Sequence, residues 1–245
     1  SFFPEYNNKK ISTTFETREK SYNFAVNKAF KIVVDTNSSK NDLMRYYNCD
    51  PRKIEIQPFI PYLIHYYQIT KKNYKEIFDN LKIEKSKYVF FYPAQFWPHK
   101  NHRYILDGLK ILKEKFKVVD FKMIFCGKDK LNKKFIQELV KSNKLEKNIT
   151  ILDFIDIDQV ISLYLNSSAL IMPTYVGRSS LPLRESFFFK LPVFYTLNLL
   201  DKSYSDYVYE IDINNPEDIA NKINSIIGLP LNLTNEITDD IIDFS

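Results

Sequence analysis

Short, nearly uninterrupted apolar runs recur along this sequence between longer amphipathic stretches, and that alternation constrains the fold more than any other feature. The runs around Val89, Ile124, Ile151 and Ile171 lack the alternating polar positions of a half-exposed strand. A strand that is apolar on both sides must be covered on both sides, as in a parallel sheet between two layers of helices. The runs predict strands at Lys31–Asp35, Ile54–Gln57, Tyr88–Tyr92, Lys122–Cys126, Ile149–Leu152, Ala169–Met172, Val193–Tyr195 and Val208–Ile211. Helical spacing is found in Phe15–Ala29, Lys40–Tyr47 (with Ser38 and Ser39 as cap candidates), His102–Phe116 (with Asn101), Leu131–Asn143, Asp158–Leu165, Leu183–Phe189 and Pro216–Ile227. The expected class is α/β: a doubly wound, Rossmann-like parallel sheet with helices on both faces.

Pro58 and Pro61 end the strand pattern, and Tyr66–Lys87 carries no strong strand signal. Residues 1–64 hold too few elements for a complete sheet domain, 65–85 read as a linker, 86–230 hold a full βαβ series, and 231–245 read as a tail. At roughly 150 residues per domain, 245 residues make one large domain or two small ones. Hydrophobic residues at 44% and charged residues at 27% exclude wholesale disorder. No apolar run approaches the roughly 20 residues of a membrane span. Cys49 and Cys126 are too few for a disulfide framework and point to a reducing, cytoplasmic setting. The net charge is 35 − 30 = +5 with scattered lysines, which gives no stripe for nucleic acid. The chain opens Ser1-Phe2-Phe3-Pro4, with no polar lead-in and no charged-then-apolar leader, so an N-terminal portion is expected to be missing.

Ligands of open parallel sheets bind outside the carboxyl ends of the strands, which directs attention to loops 93–101, 127–131, 153–158 and 173–182. With four glycines in the chain, none of these loops can be a glycine-rich phosphate cradle. Lys100, just ahead of a helix, is either a solvated lysine or a cation that reinforces the helix's positive end against a phosphate. His99 reads as a phosphate or sugar contact, and His102 as an exposed first-turn residue. Their i, i+3 spacing invites a metal, but no further ligand stands nearby, so no metal site is expected. In Met172–Ser186 a buried strand runs into Gly177, Arg178, Ser179 and Ser180, and a helix then starts near Pro182. Backbone N–H groups from Ser180 and Leu181 onward, beside Arg178, would form an anion cradle. Glu185, a turn into that helix, suits ribose hydroxyls or simply complements the helix dipole. Gly127 either admits a ligand or makes a plain turn. Phe154 and Ile155 either offer backbone groups to a nucleobase or form an ordinary loop. Cys126 reads as core.

At these residues the sequence resembles the large retaining glycosyltransferases of family 4, the group 1 family, which have the GT-B fold. Tyr92–Asn101 is similar to the family's loop ending in Lys-Asn or Lys-Gly, and Phe125-Cys126-Gly127 to its next strand and glycine. Leu152–Ile155 with Val160–Tyr164 is similar to the base-binding strand and helix. Pro173–Glu185 with Leu191-Pro192-Val193 is similar to the signature of two glutamates separated by seven residues. Residues 25–61 resemble the end of the family's N-terminal domain, and the likeness spans roughly 25–228. The resemblance implies that 1–64 end an acceptor-side domain and that 86–230 bind a nucleoside-diphosphate sugar. Catalytic roles fall on Glu185 and Lys100. Donor contacts fall on Gln95, His99, Lys100, Asn101, Gly127, Phe154, Ile155, Arg178, Ser179, Ser180, Leu181 and Glu185. The implied reaction is metal-independent transfer, with retained configuration and no cofactor, to a glycan, lipid-linked or other acceptor, compatible with peripheral membrane contact. Two positions depart from the pattern: Gln95 stands where the family has Arg, and Gly177 where it has the first signature Glu. A chain with so little of the acceptor side is not expected to complete an active cleft alone.

Three other readings compete. A nucleotide-sugar-binding module without catalysis is favoured by Gln95 and Gly177. A nucleotide-sugar epimerase would need facing carboxylate and histidine groups that the sequence does not provide. A basic nucleic-acid binder rests only on the +5 charge and the 16% aromatic content.

Overall fold

The computed structural model describes residues 9–176, 181–197, 199, 204 and 207–227, with residues 9–14 described by their backbone alone. The chain divides into two compact units, Ser1–Phe59 and Ile60–Ser245.

In the first unit, α1 (Lys9–Lys28) leads to β1 (Ile32–Val34), α2 (Asn37–Tyr47) and β2 (Ile54–Ile56). The strands pair in parallel, with Ile32 opposite Ile54. Val26, Cys49 and Ile54 form a small core, with Ile32, Val34, Leu43 and Tyr47 packed around it. The cap of α2 is Thr36 rather than Ser38 or Ser39: its Oγ1 accepts the Ser39 N–H at 3.1 Å. Thr36 is extended and so leaves its hydroxyl free to reach back into the first turn.

The second unit opens with α3 (Tyr62–Ile69) and α4 (Tyr74–Asn80), in the stretch read as mostly linker from sequence. Leu63, Ile64 and Tyr74 are buried there, and Tyr67 meets Phe188 and Phe189 edge-on at 6.0 and 5.1 Å. Aromatic rings supply this apolar face, so the usual aliphatic periodicity is weak. The unit boundary accordingly falls at Phe59/Ile60 instead of residue 64.

The elements that follow are β3 (Tyr88–Pro93), α5 (His102–Lys115), β4 (Phe121–Cys126), α6 (Lys133–Ser142), β5 (Ile149–Leu152), α7 (Ile157–Asn166), β6 (Ala169–Met172), α8 (Leu181–Phe188), β7 (Val193–Thr196), β8 (Tyr209–Ile211) and α9 (Pro216–Ile226). The six strands lie in the order β5-β4-β3-β6-β7-β8, and every pairing is parallel. Phe90 and Phe91 of β3 are 1% and 0% exposed, so each contributes about 1.5–3 kcal/mol by leaving water. α5 packs against α6 and α9, while α7 packs against α3 and α4. Gly108 permits the α5–α9 approach, since a Cβ there would stand 2.4 Å from Ile219 Cγ2. α7 begins with a capping box in which Asp156 accepts the Gln159 N–H at 2.8 Å and Gln159 Oε1 accepts the Asp156 N–H at 3.0 Å. The start expected for α6 at Leu131 moves to Lys133, because Leu131 sits at φ 70, outside helical geometry. The expected tail, 231–245, lies outside the described residues.

Candidate functional site

The strand order makes the site. The chain leaves β3 in one direction through β4 and β5, then crosses back to β6 and proceeds the other way through β7 and β8. The connections after β3 and β6 therefore lead to opposite sides of this point at the carboxyl ends of the strands, which is where open α/β sheets hold ligands. They correspond to two of the four loops, 93–101 and 173–182, to which the sequence directed attention.

The loop after β3 is rigid for local reasons. Pro98–Lys100 form a single 3-10 turn that ends at Asn101 in the left-handed conformation, φ 54. Tyr92, buried at the strand end, donates its hydroxyl to Lys100 O at 3.0 Å. Trp97 Nε1 donates to Gln95 Oε1 at 3.0 Å, and the indole stacks on His99 with ring centres 6.0 Å apart. His99 O accepts the Tyr175 N–H at 2.9 Å and the Thr174 hydroxyl at 3.3 Å, so the β3 and β6 loops are fastened to each other. On the opposite flank Phe96 N–H donates to Lys128 O at 3.0 Å, joining the loop to the one after β4.

Lys100 is half-buried, and burial lowers the pKa of its ammonium. No carboxylate among the described residues pairs with it. The charge of Lys100, after burial itself, also helps to hold the His99 imidazole below its ordinary pKa. Beside this loop lies a cavity of about 320 Å³, lined by Pro93, Ala94 and Gln95 after β3, Cys126–Lys128 after β4, Asp153–Ile155 after β5, and Val160 of α7. Phe154 is 75% exposed at the cavity, with Lys128 Nζ 5.2 Å from its ring centre. Four residues expected to share a site (Gln95, Gly127, Phe154 and Ile155) thus line one cavity.

Glu185 lies on α8 and is 9% exposed. Its Oε2 accepts the Tyr164 hydroxyl at 2.7 Å. Burial raises the carboxyl's pKa, and the phenol's hydrogen bond partly offsets this. Leu181, at the start of α8, is 46% exposed. Gly177, Arg178, Ser179 and Ser180 lie outside the described residues.

Residues 73–240 match the family model of the glycosyl transferases group 1, more than half of the sequence. The chain belongs to that family. Among curated proteins, none matches the sequence. The family's GT-B fold is shared with a Rickettsia africae glycosyltransferase at TM-score 0.68 and 21% identity, over 92% of this chain and 60% of that one. It is shared likewise with Anabaena HepE, solved with UDP and glucose, at TM-score 0.72 and 12% identity, over 91% and 61%. The C-terminal domain of the group 1 protein LpcC from Francisella tularensis aligns at TM-score 0.57 and 18% identity, over 68% of this chain and 89% of that domain. The chain spans about three fifths of the length of the first two.

For this group 1 chain, two local expectations change, and a third position, Gly127, has a reason within the protein itself. His102 is wholly buried, not an exposed first-turn residue. It stacks on Phe96 at 4.6 Å and also meets Tyr92 and Phe125, and burial pushes its pKa down to about 3. Asn101 occupies the cap position of α5 but makes no side-chain cap bond, because its left-handed backbone turns the amide inward, where it is 7% exposed. Gly127 is required by the protein's own backbone: a Cβ there would stand 2.5 Å from Ala94 O and 2.8 Å from Gln95 Cα. Among the described residues no group of three or more His, Cys, Asp or Glu side chains could hold a metal ion, and no helix is long and apolar enough to cross a membrane. Tyr164 was missed as a site residue. The sequence placed it at the end of the Val160–Tyr164 stretch that is similar to the family's base-binding helix, but by itself an aromatic on the buried face of α7 reads as core.

Proposed function

We propose that the carboxyl edge of this sheet binds a nucleoside-diphosphate sugar and serves its transfer, with retained configuration, to a glycan, lipid-linked or other acceptor. The observation that carries the reading is Lys100: a half-buried cation, without a carboxylate among the described residues, at the point where the strand order reverses. A buried charge needs a counter-charge, and a pyrophosphate supplies one. The nucleoside would occupy the cavity bounded by Gln95, Gly127, Phe154 and Ile155, and Glu185 would receive ribose hydroxyls. The developing charge on the leaving diphosphate would be met by Lys100 and by the amino end of α8, without a metal. HepE, of the same fold, was solved with UDP and glucose, which supports such a donor. A cytoplasmic setting fits donors of this kind.

Calorimetry with UDP, GDP and ADP tests the reading and names the base. Lys100→Ala should weaken binding of the preferred nucleotide by about 1–3 kcal/mol, the range of a hydrogen bond to a charged group. A folded sample that binds none of the three removes the donor reading.

A second reading, binding without transfer, is favoured by Gln95. This neutral residue stands where the family carries Arg, and its carbonyl oxygen is occupied by Trp97. Nucleotide-sugar binding with no release of nucleoside diphosphate in the presence of acceptors would select it.

A further inference from the structure

The carboxylate of Glu185 has one hydrogen-bond partner among the described residues, and that partner is neutral. Tyr164, the partner, follows one helical turn after Val160; Val160 lines the cavity beside Gln95 and Gly127, whereas Tyr164 lines a separate one with Tyr88, Ser167 and Phe189. Its ring is held on two sides. Phe189 stacks on it at 5.4 Å and 17°, and Phe91 meets it edge-on at 5.3 Å and 84°. A phenol fixed in this way can aim its hydroxyl in few directions, and it donates to Glu185 Oε2 at 2.7 Å. Oε1 accepts no hydrogen bond from the described residues. A carboxylate with one oxygen tethered presents the other in a defined direction, which an untethered Glu side chain with three rotatable bonds does not.

We propose that Tyr164 is a positioning residue: its hydroxyl holds Oε2 of Glu185 so that Oε1 faces the vicinal hydroxyls of a bound ribose. This rests on the donor reading above. Charge-assisted bonds to the two hydroxyls require the carboxylate to be ionised. Burial works against ionisation, and the Tyr164 hydrogen bond works for it. Besides Tyr164 itself, the titratable groups on the elements packed around the pair are Cys126 of β4, beyond the phenol, and, on α3, exposed His65 with Tyr62, Tyr66 and Tyr67, none of these hydrogen-bonded to Glu185. Loss of the phenol hydroxyl therefore raises the Glu185 pKa further.

The test is Tyr164→Phe, which keeps both ring contacts and removes only the hydroxyl. Calorimetry compares UDP, GDP and ADP with their 2′,3′-dideoxy counterparts. The variant should bind the preferred ribonucleotide about tenfold more weakly and its dideoxy form as wild type does. The acid limb of ribonucleotide binding should also move to higher pH. Glu185→Asp, which keeps the charge but draws the carboxylate away from Tyr164, should show the same selective loss and serves if Tyr164→Phe does not fold. Equal losses for both ligand forms, or none, overturn the proposal alone. A folded wild type that binds no nucleoside diphosphate overturns the donor reading, and this proposal with it.

Discussion

The two ends of the six-stranded sheet treat charge in opposite ways. At the amino end, Lys122 of β4 is 6% exposed, yet its ammonium is met by the Glu84 carboxylate and by Lys147 O. Asn148 beside it donates to Val119 O and Phe121 O at 3.0 and 3.1 Å and accepts from Lys113. At the carboxyl end, Lys100 meets no carboxylate and Glu185 meets only a phenol among the described residues. Among the described residues, the same sheet offers a counter-charge at one end and none at the other. A buried charge that the protein pairs itself is part of the fold, whereas one left open among the described residues is a candidate for a ligand.

The contrast can be strained hardest at Gly127, where both functions share one backbone. Gly127→Ala sets a methyl against Ala94 O at φ 155 and should cost about 3 kcal/mol of stability, from overpacking plus backbone strain. It should also weaken nucleotide binding. Urea denaturation and calorimetry measure the two effects, and an unchanged midpoint would show that the loops part freely.

A paired substitution comes next. Lys122→Ala should lower stability by about 1–3 kcal/mol while leaving nucleotide affinity alone. Lys100→Ala should do the reverse, with a stability change within about 0.5 kcal/mol. If both variants destabilise alike, the two ends of the sheet do not differ as described.

The smallest effect concerns Glu185 itself. Its folded-state pKa is raised above the ordinary 4.5, so the native state keeps a proton that the unfolded chain has released. Stability must then fall as pH rises from about 4.5 through the raised value. Glu185→Gln has nothing to titrate there and should lack that fall, so its stability stays level over the same pH range. Urea titrations between pH 4 and 8 on both proteins make the comparison, and parallel curves would count against a buried, ionised Glu185.

The particular elements show what could be read in advance. β5 and β6 appear at the predicted residues, and the other strands differ only at their ends. Asp156 caps α7 with a side chain that acts within one turn. α3 and α4 were not readable, because Tyr66, Tyr67 and Tyr74 are neither clearly apolar nor clearly polar in sequence. Their helices acquire a buried side only by packing on α7 and α8. His102 was misread because nothing local to a first turn says that Phe96, Tyr92 and Phe125 will close over it.

By itself, then, the sequence determined the class of fold, the direction of its strands and the loops in which to look, since apolar runs and turn residues act over a few neighbours. Which charges are left without a counter-charge among the described residues was decided only by tertiary structure. So were the cavity that unites Gln95, Gly127, Phe154 and Ile155, and the bond from Tyr164 to Glu185. Burial and hydrogen-bond geometry depend on groups that are distant along the chain, and no local pattern encodes those distances.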